Sequence, residues 1–200
     1  MVAFALGLLI PIVIIFMREN MNTRVRGRKD LENLTIPFIG EIPLFTRKKK
    51  GILGKKPQEV KAVIVKEGNR DIINEAFRVL RTNLEFMTGK DKTSNVIIMT
   101  SFNPGSGKSF LTMNIAVSLA IKGKKVLVID GDLRHASASS YIDSPDKGLS
   151  DYLGGRIDNL NEIIVSDPKQ KSMDILPVGT IPPNPTELLF DERLKQVIDT

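Results

Sequence analysis

Gly105, Gly107, Lys108 and Ser109 stand within five residues of one another in the segment SFNPGSGKSF, residues 101–110. Glycines let backbone N–H groups approach an anion closely, a lysine ammonium reaches outer phosphates, and a serine hydroxyl suits Mg²⁺. The phosphate-loop pattern G-x-x-x-x-G-K-[ST] is met at Gly107, Lys108 and Ser109, while Phe102 holds the first glycine's place. Those three residues supply the anion and metal contacts, so the substitution at Phe102 leaves the chemistry available. Further along, VLVIDGDLR sets Asp130 and Asp132 one residue apart behind an apolar run. Two such carboxylates beside a phosphate loop suit Mg²⁺ and a general base for a hydroxyl nucleophile. The plainer alternatives are an ordinary glycine turn and a pair of solvated loop acids. Arg134 can hold an acid or a phosphate or simply face water. His135, the only histidine, has no partners spaced for a metal site.

The elements around these residues must be a strand before the loop and a helix after it. NVIIMT (95–100) reads as a short buried strand, SFLTMNIAVSLAIKG (109–123) as a helix closed by Gly123, and KVLVID (125–130) as a second buried strand. That order is a βαβ unit, which predicts a parallel sheet covered on both faces. It would place Asp130 and Asp132 at the carboxyl end of a strand, where open α/β sheets bind ligands. MDILPV (173–178) gives a third strand and TELLFDERLKQVID (186–199) a final helix. NRDIINEAFRVLRTNLEFMTG (69–89) repeats apolar residues at three- and four-residue spacing, with Asn69 as a cap and Gly89 at its end. Glu75, Arg78 and Arg81 run along one ridge of this helix.

Cysteine is absent, which excludes disulfides and thiolate metal sites. The net charge of +6 is uneven: residues 18–61 hold twelve Lys/Arg against five Asp/Glu. The basic excess thus sits in a short early segment rather than on the domain, which argues against nucleic acid and for an anionic membrane surface. An anchor precedes it. Residues 1–17, MVAFALGLLIPIVIIFM, carry no charge. As a helix they would span about 25 Å. They read as a transmembrane helix with a kink at Pro11 rather than a signal peptide, lacking a basic lead and a cleavage site. Arg18, Arg24, Arg26, Arg28 and Lys29 then place the following chain in the cytoplasm. Residues 18–61 read as a juxtamembrane linker. Within it LENLTIPFIGEIPLF suggests an extended segment packed on the domain, and RKKKGILGKK a basic loop near lipid headgroups.

Taken together, these segments resemble the cytoplasmic domain of bacterial tyrosine kinases (BY-kinases), membrane-tethered regulators of capsular and exopolysaccharide synthesis and export. IIMTSFNPGSGKS resembles that family's Walker A, VLVIDGDLR its Walker A′, EAFRVLRTNL its E-x-x-R-x-x-R helix, and LPVGTIPPNPTELL a late segment. The resemblance implies an α/β, P-loop NTPase-like domain over residues 62–200, with a doubly wound, mostly parallel sheet. It implies ATP and Mg²⁺ as cofactors and tyrosine-containing protein substrates. Pro104, Gly105, Ser106, Gly107, Lys108, Ser109 and Phe110 would bind the nucleotide, and Ser109 and Asp130 the metal. Lys108, Asp130 and Asp132 would be catalytic. Glu75, Arg78 and Arg81 would form the interface of a homo-oligomeric ring, the alternative being a salt-bridged surface ridge. The polysaccharide polymerase and export machinery would be partners, and the bacterial inner membrane the location, with the kinase domain cytoplasmic.

The family's Walker B strand and tyrosine tail are expected after the last helix, but the sequence stops at Thr200, and Tyr141 and Tyr152 are the only tyrosines. The sequence is therefore expected to be an internal piece that binds nucleotide weakly, with activity in a longer parent. Two rival readings stand beside this one. A ParA/MinD-type ATPase would carry a signature lysine where Asn103 stands. A non-catalytic accessory protein of a polysaccharide polymerase would need only the anchor and a relic site.

Overall fold

The computed structural model describes residues 2–21, 27–31, 34–44, 63–89, 95–168 and 170–199. The basic stretch expected to face lipid, residues 47–56, lies outside them. The chain forms two compact units, residues 1–39 and 40–200.

In the first unit, helix α1 runs Val2–Asn20 with Pro11 inside it. Apolar side chains from Leu9 to Met17 are exposed around it. Among the described residues no helix is long and apolar enough to cross a membrane, so the transmembrane expectation is not confirmed. A 3-10 turn follows at Arg28–Leu31.

The second unit holds the chemistry. Helix α2 spans Ile72–Thr88. Its N-cap is Asp71, two residues later than expected, because the Asp71 carboxylate accepts from Asn74 N at 2.8 Å. Asn69 instead braces Asp71 from outside. Gly89 ends α2 with φ +77°. Helix α3 spans Lys108–Ile121, and Gly123 leaves it with φ +85°. Phe77 of α2 is fully buried and meets Phe110 of α3 edge-on, centroids 6.0 Å apart. Strand β1 is Val126–Ile129, short helix α4 Leu149–Leu153, β2 Val165–Ser166 and β3 Met173–Leu176. The expected last helix is broken at residues 189–191 into α5, Pro185–Leu188, and α6, Glu192–Asp199.

The sheet has the order β1-β3-β2. β1 and β3 pair in parallel, Val126 opposite Met173. β2 pairs antiparallel with β3, so the expected mostly parallel sheet is corrected, among the described residues, to a three-stranded mixed one. A second correction concerns residues 95–100. They are described but pair with no strand. A buried parallel strand must be covered on both faces. Here Val96 is 64% exposed and Ile98 84%, and among the described residues no ladder partner lies beside them.

The core has two parts. α3 packs on β1, β3 and α2, and its Met113, Ala116, Val117 and Ala120 are buried. Leu133, Leu149, Tyr152, Leu153, Ile163, Leu176, Val178 and Val197 form a cluster under α4 and α6. Arg193 caps that cluster, lying over the Tyr152 ring and donating to Tyr152 O at 3.1 Å. The expected packing of the extended lead-in segment holds at Gly40, where a Cβ would touch Leu80 Cδ1 at 3.2 Å. Next, residues 64–66 are held by two buried asparagines. Asn114 Oδ1 accepts from Ile64 N and Val65 N, and Asn74 Oδ1 from Lys66 N.

Candidate functional site

The loop at residues 101–107 is shaped by its own hydroxyls. Ser101 Oγ and Ser106 Oγ both donate to Asn103 O, at 2.9 and 2.6 Å. Gly105 and Gly107 adopt φ +73° and +90°, in the left-handed region that a side chain disfavours. Phe102 is fully exposed, so the residue in the missing glycine's place does not intrude on the loop.

Gly107 is the N-cap of α3 and makes no side-chain cap. The first intrahelical bond is Leu111 N to Gly107 O at 2.9 Å, which leaves the amides of Lys108, Ser109 and Phe110 without helical acceptors. Nothing lies within 4 Å of a Cβ built on Gly107. The open amides, the positive end of α3 and the Lys108 ammonium, which makes no ion pair among the described residues, form a site that fits a phosphate group.

The two aspartates are brought to the same edge. α3 and β1 are joined by a tight turn and pack on each other, so the end of β1 returns toward the start of α3. There they differ. Asp130 is 4% exposed; Asp130 Oδ2 accepts from Ser139 N and Ser139 Oγ, both at 2.7 Å, and Oδ1 from Asp132 N at 3.2 Å. Asp132 is half-buried and open to solvent on one side. Its carboxylate accepts from His135 N and Ser137 Oγ and faces His135 Nδ1 at 3.2 Å. Burial alone would raise its pKa. The hydrogen bonds from His135, the His135 charge and the Ser137 hydroxyl outweigh that and hold it below the ordinary carboxylate value. His135 thus supports Asp132, a role that spacing alone did not show. Among the described residues no cluster of three or more His, Cys, Asp or Glu could hold a metal by itself.

The helix motif divides as well. Glu75 and Arg78 pair with each other at 3.0 Å on the exposed face of α2. Arg81 turns inward and its Nη1 donates to Ser118 O of α3 at 2.7 Å. One turn further, Glu85 meets Lys122 at 2.6 Å.

Four further residues, Ser139, Asp151, Gly148 and Gly179, have tertiary roles without a sequence signal of their own. Ser139 is 1% exposed, and its Oγ accepts from Val178 N at 2.9 Å. Asp151 Oδ2 accepts from Gly148 N and Thr180 N, at 3.0 and 3.2 Å, while Arg156 meets its Oδ1. Gly148 and Gly179 cross backbone to backbone; a Cβ on either would overlap the other segment's main chain. Only tertiary contact reveals these roles.

A phosphate loop opening a helix, with a carboxylate pair just past the end of the returning strand, defines a P-loop α/β nucleotide-binding fold. Residues 97–184 match the CobQ/CobB/MinD/ParA nucleotide binding domain. The chain belongs to the bacterial tyrosine kinase family within that class. It is 32% identical over 98% of its length to the tyrosine-protein kinase etk of Escherichia coli K12, of which it spans 28%. The kinase domain of the Escherichia coli tyrosine kinase ETK superposes with a TM-score of 0.73 at 29% identity, covering 88% of this chain and 68% of that one. The chimerical protein CapA2B2 superposes with a TM-score of 0.70 at 31% identity, covering 86% and 69%.

Proposed function

We propose that the whole protein is an ATP-dependent protein-tyrosine (auto)kinase that regulates capsular or exopolysaccharide synthesis and export. The observation that carries this is the open N-terminus of α3, where the amides of Lys108, Ser109 and Phe110 have no helical acceptor and the approach at Gly107 is clear. In this reading Lys108 stabilises the outer phosphates and Ser109 holds Mg²⁺, which neutralises phosphate charge when bound. Asp132 is the acid with a free side, suited to meet the Mg²⁺ held by Ser109 and to orient or deprotonate a tyrosine hydroxyl, and Asp130 stands behind it. The kinship with named tyrosine-protein kinases supports tyrosine as acceptor. Glu75 and Arg78 offer the exposed half of a ring interface, and the apolar α1 a hydrophobic anchor at the inner membrane.

The family match is shared with MinD/ParA ATPases, which makes that class the second reading. Asn103 stands where its signature lysine would be. The test compares the protein with Lys108→Ala. Titration with a fluorescent ATP analogue and Mg²⁺ should weaken roughly ten- to a hundredfold on loss of the charged phosphate contacts. Phosphotyrosine, read by mass spectrometry, should vanish. Equal nucleotide affinity in both proteins sinks the site assignment; ATP hydrolysis without phosphotyrosine favours the second reading.

A further inference from the structure

A buried serine takes part in the site without touching its open face. Ser139 begins a 3-10 turn, Ser139–Ile142, nine residues after Asp130. Its hydroxyl donates to Asp130 Oδ2 at 2.7 Å and accepts from Val178 N at 2.9 Å. A hydroxyl carries one proton, so both directions are fixed: the acceptor must be the carboxylate and the donor the amide. Three chain segments meet there, namely the end of β1, the 131–138 loop that carries Asp132, and the stretch after β3. Asp130 completes the joint by accepting from Asp132 N at 3.2 Å. Its carboxylate is thus committed inward on both oxygens.

We propose that Ser139 is a positioning residue of the nucleotide site. Acting through Asp130, it closes the 131–138 loop at its far end. The loop is then held at both ends by one carboxylate: at Asp132 N and at Ser139. This sets where the Asp132 side chain stands relative to the phosphate loop. Asp130 is the anchor of that arrangement, and Asp132 the group that works at the open face. The inference rests on the functional reading above in one respect only, the assignment of work to Asp132.

The test uses the full chain as wild type, Ser139→Ala, Asp130→Asn, the double variant and Asp132→Asn. Amide hydrogen exchange without nucleotide is measured first. Ser139→Ala should raise exchange roughly tenfold at residues 131–138 and at Val178, with the α2 and α3 amides unchanged. The Ser139→Ala and Asp130→Asn effects there should be non-additive, the double variant matching the worse single one. Asp132→Asn should leave exchange of Val178 as in wild type. Binding of a fluorescent ATP analogue is then measured with and without Mg²⁺. Ser139→Ala and Asp132→Asn should each lose roughly tenfold of the Mg²⁺-dependent affinity and keep the Mg²⁺-free affinity.

Uniform exchange across the chain, or additive effects, would overturn the positioning role, as would a local exchange change with Mg²⁺-dependent affinity untouched. Should Ser139→Ala fail to fold, Ser139→Cys, which keeps size but weakens both hydrogen bonds, gives the same local readout. Failure of the wild type to bind nucleotide would remove the functional reading while the exchange data still decide whether Ser139 fixes the loop.

Discussion

Replacing Arg81 by alanine separates two accounts of the α2 motif. If Arg81 serves within its own chain, its loss should lower stability at every protein concentration. A charge-assisted hydrogen bond such as Arg81 Nη1 to Ser118 O contributes about 1.5–3 kcal/mol. Its place at the last turn of α3 adds a favourable dipole term of about 0.3–1 kcal/mol. Against this, Arg81 Nε is buried with no hydrogen-bond partner, which offsets part of the gain. A loss of roughly 2 kcal/mol follows. In a domain of this size each kcal/mol moves Tm by about 2–4 °C, so Arg81→Ala should melt about 4–8 °C below wild type. Arg78→Ala removes an exposed i,i+3 pair contributing about 0.2–0.5 kcal/mol and should melt within about 2 °C of wild type. Thermal melts followed by circular dichroism, at two protein concentrations a factor of ten or so apart, make the comparison. An intersubunit contact stabilises by mass action and so depends on concentration. Wild-type melting of Arg81→Ala, or a defect confined to the higher concentration, would refute the intrachain account.

Two further outcomes are expected. Gly179→Ala should destabilise by about 3 kcal/mol or more, because its Cβ meets Gly148 N and Lys147 backbone and its φ is +76°, an effect read from urea denaturation midpoints. Asp71 is held below its ordinary value first by the Asn74 side chain and then by the Asn74 amide. For a depressed carboxylate the stabilisation is present above the unfolded value of 3.8 and is lost as pH falls through the lower folded one. The first turn of α2 should therefore fray at acid pH in wild type, whereas in Asp71→Asn the same NMR signals should show no such step.

What could be read from sequence was local. Gly107, Lys108 and Ser109 sit at a helix start because a phosphate loop is a run of adjacent residues, α2 follows from periodicity over a long window, and β1 from a short continuous apolar run. The apolar run at residues 95–100 reads as a strand, yet strand formation depends on a neighbour that the run itself does not encode. β2 is two residues long, too short for any alternation to register. Aspartates 130 and 132 look equivalent as letters. Their difference comes from Ser139 and His135, which approach from separate turns. The sense of Arg81 likewise depended on which helix would lie beside α2, and that is settled by packing of Phe77 on Phe110. Spacing along a ridge does not encode the direction of each side chain on it.

The crossing of Gly148 and Gly179 also limits how this chain can change over generations. Most crowded contacts have a way out, since a larger side chain on one element can be accommodated by a smaller one opposite. Here both partners are already the smallest residue, and the obstruction is main chain. No second substitution at the facing position can make room. A sequence drifting through neutral variants would find this pair closed in both directions, while an exposed neighbouring side chain such as Lys147 stays open to exchange.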